Sequence, residues 1–405
     1  MLKLFNTLSG KKEEFLPLEE VVGIYTCGPS VYQYAHIGNF RTFIFEDVLV
    51  RYLRFKGYRV KRVMNLTDIE DKAIETAKKQ GRELSEFTEF FSKIFLEDMR
   101  TFELLPADVF PRASAHVPEM VDIIKKMIEK GYAYRGKDGS IYYDISKYDN
   151  FGKLSHSKLK IGKRKIKRDE WGEDTNIISD FALWKSYEKK DGEVFWETEL
   201  GKGRPGWHIE CSAMSSKYLG TRFDIHVGGV DNIFPHHEAV IAQNFGAFGE
   251  NPSKYWLHCR HLVMDGKKMS KSAGNFYTLQ DLVEKGWDTM AIKYLLLSVS
   301  YRRRLNFTFE GLKEASEKLE KIRGIIDRMK KANGNENADK IAKKAIKNFE
   351  KAMDDNLNTG KALEIIEEFS DIIEKIDPTR KSSQKILEMF MTFDSVLGLR
   401  LFTIS

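Results

Sequence analysis

The sequence is poor in cysteine: Cys27, Cys211 and Cys259 are the only three in 405 residues. An odd, sparse set argues against a disulfide framework and suits a reducing compartment. No apolar run approaches the roughly 20 residues that a membrane-spanning helix needs. The opening MLKLFNTLSGKKEEF lacks the apolar core and small-residue cleavage site of a secretory leader. Solenoid-type repeats and low-complexity tracts are also missing. These absences predict a cytoplasmic protein with no membrane partner. What is present is 42% hydrophobic and 31% charged residues, with a net charge of +6, as in a folded chain that tolerates a polyanionic partner without demanding one. The length exceeds one small core and predicts about two to four domains.

VVGIYTCG is a β-branched run ending in a glycine turn and reads as a strand. The helical spacing of Phe40, Phe43, Ile44, Phe45, Leu49, Tyr52 and Leu53 follows, ending near Gly57. RVKRVMNLTD is a second strand, so the unit is βαβ, the opening of a parallel sheet that binds ligands at its strand C-termini. TRFDIHVGGVD and PHHEAVIAQNFGAF repeat the strand-turn-helix pattern, with Pro235 predicted to start the helix. Between these halves, residues from about 110 to 200 combine a helix near Val117–Lys130 with aromatic strands such as GSIYYDI and a basic stretch, KLSHSKLKIGKRKIKRDEW. That stretch reads equally well as a solvated loop or a nucleic-acid contact. After about residue 310, four amphipathic Lys/Glu-rich segments predict a helical bundle.

His36-Ile37-Gly38-Asn39 stands where the first strand hands over to the first helix. A glycine there admits a phosphate to the backbone, and the helix N-terminus offers free N–H groups to an anion. Taken alone, a His beside a Gly is more often structural. Lys268-Met269-Ser270-Lys271-Ser272 places two lysines three apart in a loop able to close on phosphates, or simply to lie in solvent. Cys27, Cys211 and His236 are a workable zinc set, since zinc takes thiolate and imidazole ligands. Without context, two buried core cysteines are the preferred reading.

The two phosphate-type motifs, in this order, resemble the signatures of class I aminoacyl-tRNA synthetases. TCGPSVY, NLTDIEDK, DFALWK, GKGRPGWHIECSAM, GGVDNIFPHHE, KMSKSAGNF and DDNLNTGKALE all resemble segments of the cysteinyl-tRNA synthetase family, over nearly the whole chain. The resemblance implies an α/β fold: a Rossmann-type parallel-sheet catalytic domain with an inserted connective domain and a C-terminal α-helical bundle. The expected divisions are 1–109 and 204–257 for the two catalytic halves, 110–203 for the insertion, 258–308 for the KMSKS and stem-contact region, and 309–405 for a tRNA-binding bundle. It implies a cysteine--tRNA ligase that activates L-cysteine with ATP and charges tRNA(Cys) as a monomer, with one Zn2+ per chain and Mg2+ accompanying ATP.

Residue by residue, the resemblance assigns catalysis to His36, Asn39, Lys268 and Lys271. It adds Gly38, Gly228, Gly229 and Asp231 to the ATP site, and Gly28, Thr67 and Trp207 to the cysteine site. Cys27, Cys211 and His236 would hold a zinc that takes the substrate thiol. A soft metal separates a thiolate from a serine hydroxyl far better than an apolar pocket can, so no editing domain is expected. One position departs from the family, which has a Glu four residues after the zinc-binding His. Here it is Val240, which cannot bind metal, so either water or Glu238 is expected in the fourth place. Family members commonly continue past the bundle, whereas this chain ends at Ser405, which leads to the expectation that tRNA is read mainly at its acceptor end. Two other readings stay open: a cysteine ligase acting on an amino-sugar acceptor, and an inactive RNA-binding paralogue.

Overall fold

The computed structural model describes residues 1–157, 160–161, 177–269 and 274–402. Lys271 and nearly all of the basic stretch Lys158–Arg168 therefore lie outside the described residues.

Four parallel strands carry the site. They are β1 (Val21–Thr26), β2 (Arg59–Met64), β3 (Phe223–Gly229) and β4 (Ser253–Cys259), hydrogen-bonded in the order β4-β3-β1-β2. The register pairs Ile225 with Ile24 and Tyr25 with Val63. Helix α1 (Ile37–Phe55) crosses from β1 to β2, and α2 (Trp207–Leu219) and α3 (Glu238–Phe248) flank β3. From β1 the chain moves outward to β2, and from β3 it moves the opposite way to β4. The crevice where these directions diverge, beyond the C-terminal ends of β1 and β3, is where an open α/β sheet binds ligands. Cys27 follows β1 directly and Gly228-Gly229 closes β3, so the sequence sets both at that crevice. The expected parallel α/β sheet is present.

The chain between β2 and α2 builds a separate five-stranded antiparallel sheet from Ala133–Arg135, Ile141–Tyr143, Phe181–Ser186, Trp196–Thr198 and Gly201–Pro205. Its strands are tied back to the crevice by charge. Asp71, at the start of the helix after β2, pairs with Lys185 at 2.6 Å and with Arg204, whose Nε also meets Asp191 at 3.2 Å. Burial raises the Asp71 carboxyl, but Lys185 and Arg204 outweigh it and hold the group below the ordinary carboxylate range. A carboxyl depressed in the folded state stabilises the fold at neutral pH, and that contribution is lost as pH falls through its folded value. Lys185 and Arg204 are 5% and 4% exposed, so removing their partner strands buried cations. Asp71→Asn should cost ~1.5–3 kcal/mol, the range for hydrogen bonds to charged groups, read as a lower denaturation midpoint at pH 7. The deficit should shrink in acid.

The C-terminal region is the expected helical bundle: α4 (Phe309–Lys331), α5 (Asp339–Asp354), α6 (Thr359–Ile373) and α7 (Arg380–Leu397). In α4, Leu312, Ala315, Leu319, Ile322, Ile326 and Met329 are buried at spacings of three and four, one stripe of a helix. Side-chain caps at Thr308, Asn358 and Thr379 begin α4, α6 and α7. Tyr52 of α1 donates to Asp354 of α5 at 2.7 Å, joining bundle to sheet. Among the described residues, no helix is long and apolar enough to cross a membrane.

Pro235 starts the helical backbone that leads into α3, as expected. Within Ile233–His237 only Phe234 departs from helical backbone, extended at φ −135° and ψ 130°, and His237 is helical at φ −72° and ψ −30° where α3 continues from Glu238. The ring of a proline disfavours helical backbone in the residue before it, so Phe234 stays extended and the helix begins after it.

Candidate functional site

At one end of the crevice, three elements bring sulfur and imidazole together. Cys27 leaves β1, Cys211 lies just inside α2, and His236 lies in the first helical turn after Pro235, leading into α3. Cys211 Sγ is 3.3 Å from His236 Nε2, and Cys27 Sγ is 3.9 Å from the same nitrogen. Tetrahedral zinc with its usual bond lengths would hold sulfur and nitrogen about 3.6 Å apart. The three donor atoms lie within 4.8 Å of one another, all on buried residues, and so fit such an ion. His208 Nδ1 meets His236 Nδ1 at 3.0 Å, and Trp207 stacks on the His236 ring at 4.5 Å and 20°. Both contacts aim His236 Nε2 at the cysteines, the usual task of an outer partner. A hydrogen bond from Cys27 draws the Cys211 thiol well below its ordinary value, and that bond together with burial pushes Cys27 up.

His226, His237 and His258 complete this cluster, and none of them is among the residues expected at the site. His226 Nε2 and His237 Nε2 stand 3.5 and 3.1 Å from Cys27 Sγ and form with it a second three-donor group, distinct from that of Cys211 and His236. His258 supports His237 from behind at 2.8 Å. Burial lowers the pKa of His208, His226 and His237 well below the ordinary imidazole value, and that of His258 to about 3. These rings are therefore neutral, the form that binds metals. Five of the chain's nine histidines meet here. The available signal was a histidine near the end of each of two apolar strands, FDIHVGG and KYWLHC.

Glu238 is turned away. Its carboxylate accepts a hydrogen bond from the Ser155 backbone N–H at 2.8 Å, beside the turn at Gly152–Ser155. Val240 is fully buried in the core and offers no donor.

The opposite end of the crevice is the N-terminus of α1. His36 is the N-cap: its Nδ1 accepts from the Asn39 N–H at 3.2 Å, and Asn39 Oδ1 accepts from the His36 N–H at 3.1 Å. The first turn holds no acidic residue, leaving a positive helix end for an anion. A Cβ on Gly38 would stand 2.8 Å from both the His36 ring and Met269, so only glycine lets the two motifs meet this closely. Phe276 packs edge-on against His36 at 4.9 Å. Lys268 ends the short strand Lys267–Lys268, paired with Leu262–Met264. Asp231, after β3, meets His261 at 3.2 Å. Gly229 lies beside it, whereas Gly228 sits behind the crevice with His237 against it.

A single cleft of about 680 Å³ connects the two ends and is lined by Cys27, Cys211 and His236 at one end and by His36, Asn39 and Lys268 at the other. Gly28, Thr67 and Trp207 border the metal-type end, and Gly38, Gly229 and Asp231 also face the cleft. A buried relay stiffens its wall. The Gly28 N–H donates to Asn65 Oδ1 at 3.0 Å, Asn65 Nδ2 to Thr67 Oγ1 at 3.0 Å, and Thr67 Oγ1 to Glu210 Oε2 at 3.2 Å. Asn65 and Glu210 were not singled out in the sequence because their roles depend on this long-range convergence.

Comparison with known proteins agrees with this geometry. The family described as tRNA synthetases class I (C) catalytic domain matches residues 14–317. A Cysteine--tRNA ligase of Chlamydia abortus is 44% identical over 100% of this chain and 87% of its own length. One of Brachyspira hyodysenteriae is 46% identical over 89% of this chain and 78% of its own length. Among solved structures, Mycobacterium tuberculosis methionyl-tRNA synthetase in complex with methionyl-adenylate shares the fold at a TM-score of 0.67 and 15% identity, over 93% of this chain and 90% of that one. The Agrobacterium radiobacter leucyl enzyme in a ternary complex does so at 0.68 and 11%, over 94% and 84%. With the switch-point crevice, the glycine-lined helix start and these relatives in view, the chain belongs to the cysteine--tRNA ligase family of class I tRNA synthetases.

Proposed function

We propose that this chain joins L-cysteine to the 3′ end of tRNA(Cys) in two steps, as a cytoplasmic monomer. The observation that carries the reading is the continuous cleft between the Cys27, Cys211 and His236 donors and the α1 N-terminus. Its volume of about 680 Å³ has room for an amino acid at one end and a nucleotide's phosphates at the other. In the first step the cysteine carboxylate attacks the α-phosphate of ATP and pyrophosphate leaves. In the second, a terminal ribose hydroxyl attacks the adenylate carbonyl and AMP leaves. Positioning and charge stabilisation dominate the first step.

In this reading His36 and Asn39 release their mutual cap to hold phosphate oxygens, and Gly38 and Gly229 admit the nucleoside. Gly228 keeps β3's end close to the cluster, and Asp231 faces the ribose. Lys268 and Lys271 close over the departing pyrophosphate, with Mg2+ accompanying ATP. Gly28, Thr67 and Trp207 shape the cysteine site. Zn2+ held by Cys27, Cys211 and His236 would supply a soft Lewis acid that favours the substrate thiolate over a serine hydroxyl. Residues 1–109 and 204–257 act as the catalytic halves, 110–203 as the connective insertion, 258–308 as the stem-contact region and 309–405 as the tRNA-binding bundle.

Lys271→Ala should slow adenylate formation by roughly 10²–10³, the scale for one lost transition-state contact, with little change in cysteine affinity. Normal pyrophosphate exchange in that variant would remove Lys271 from the mechanism. The reading as a whole is tested by cysteine-dependent ATP–pyrophosphate exchange followed by charging assays. Charging of tRNA(Cys) supports it. Intact exchange with transfer only to a glucosaminyl-inositol acceptor would move the assignment to an amino-sugar ligase.

A further inference from the structure

The Cys27 sulfur faces two sets of nitrogen and sulfur donors, and the proposed reaction uses only one. We propose that Cys27, His226 and His237 form a second position for a divalent d-block cation of the zinc type, sharing the Cys27 thiolate with the Cys211 and His236 position. The inference rests on the reading of Cys27 as a metal ligand and adds a place where the cation binds without Cys211 or His236.

Geometry supports it first. His226 Nε2 and His237 Nε2 lie 3.5 and 3.1 Å from Cys27 Sγ, near the separation of about 3.6 Å that tetrahedral zinc imposes on sulfur and nitrogen. The three donor atoms fall within 4.8 Å of one another. The site is built rather than incidental. Cys27 is 8% exposed and both histidines are 0% exposed. Trp256 stacks on His226 at 4.5 Å and 15°, fixing its plane. Gly228 leaves room for His237, since a Cβ there would lie 2.9 Å from His237 Cε1.

The outer partners complete it. His237 Nδ1 meets His258 Nε2 at 2.8 Å, and His258 Nδ1 meets Thr7 Oγ1 at 2.8 Å. A cation selects one polarity of this chain: His237 Nδ1–H donates to His258, His258 Nδ1–H donates to Thr7, and the His237 Nε2 lone pair points at the metal. Metal-bound histidines are characteristically held in this way. His226 Nδ1 is buried without a hydrogen-bond partner, so only its Nε2 is engaged, toward Cys27. Binding takes the proton from the Cys27 thiol and releases it to solvent. With Val240 one turn beyond His236, the first set has three protein donors, as does the second. Two thiolates outweigh one for a soft cation, so the Cys211 set is the tighter.

The test is Co2+ titration of the metal-free chain, read in the visible and charge-transfer spectrum. Cys211→Ser and His236→Ala should each still bind one Co2+ in a tetrahedral field, about 10–100-fold more weakly than the parent, the scale of perturbed metal sites. Cys211→Ser should show the charge-transfer intensity of a single thiolate. Adding His226→Ala or His237→Ala to Cys211→Ser should abolish binding. Should Cys211→Ser fail to fold, as judged by circular dichroism and a cooperative melt, His236→Ala with and without His226→Ala carries the same comparison. The proposal is overturned when the parent binds Co2+ but the folded variants bind none, or when their binding ignores His226 and His237. A parent that binds Co2+ yet shows no cysteine-dependent exchange would instead sink the proposed function.

Discussion

Replacing Cys27 with Ala should abolish stoichiometric zinc binding and lower cysteine-dependent exchange by about 100-fold or more. The size follows from its position. Changing a group that merely orients a ligand typically costs ~10–100-fold in affinity or activity, and Cys27 belongs to both three-donor groups in the buried cluster. Removing its sulfur leaves Cys211 and His236 on one side and His226 and His237 on the other, two donors each. Neutral buried imidazoles do not replace a thiolate for a soft cation. Metal analysis of the purified variant gives the first readout and exchange the second. A Cys27→Ala chain with a full equivalent of zinc and near-normal exchange would show that Cys27 is only a packed core residue.

Gly28→Ala should be nearly as damaging by a different route. An added Cβ would stand 1.8 Å from the Asn65 carbonyl oxygen and 2.9 Å from its carbon. Backbone cannot rotate out of the way as a flexible side chain can, so β1's exit or the NLTD segment after β2 must move. The Gly28 N–H is also the first member of the relay through Asn65 and Thr67 to Glu210. Overpacking of this kind costs ~1–3 kcal/mol of stability. The kinetic effect is larger, because a misplacement of about 1 Å at a positioning group can cost 10²-fold. Exchange should therefore fall by about two orders of magnitude while the chain still folds cooperatively. A variant with parental exchange would mean that the wall at Gly28 yields without disturbing the bound amino acid.

The parallel sheet and the helical bundle were legible because their signals are local. VVGIYTCG and RVKRVMNLTD flank one amphipathic helix, and the stripe from Leu312 to Met329 repeats at helical spacing. The crevice followed from topology, since two strand-glycine turns must meet where a doubly wound sheet changes direction. Cys27, Cys211 and His236 were legible as a set through the family resemblance of the segments that carry them, since residue type alone fits buried core cysteines better. His226 and His258 were not, because each is a lone histidine in a mostly apolar strand and gains meaning only from parallel pairing of β3 with β4. The Asn65–Thr67–Glu210 relay spans more than 140 residues of sequence, beyond any spacing rule. At Pro235 the helix-start rule and the restriction that proline places on its predecessor act together: Phe234 is extended, and helical backbone follows it.

Whether a metal ion selects cysteine in this cleft is decided by ATP–pyrophosphate exchange driven by cysteine and by serine, measured on the chain as purified, after chelation, and after zinc is restored. Exchange should be strong with cysteine and very weak with serine, the cysteine signal should be lost on chelation, and zinc should restore it. Equal exchange with serine, or cysteine exchange that survives complete metal removal, would contradict selection by a metal.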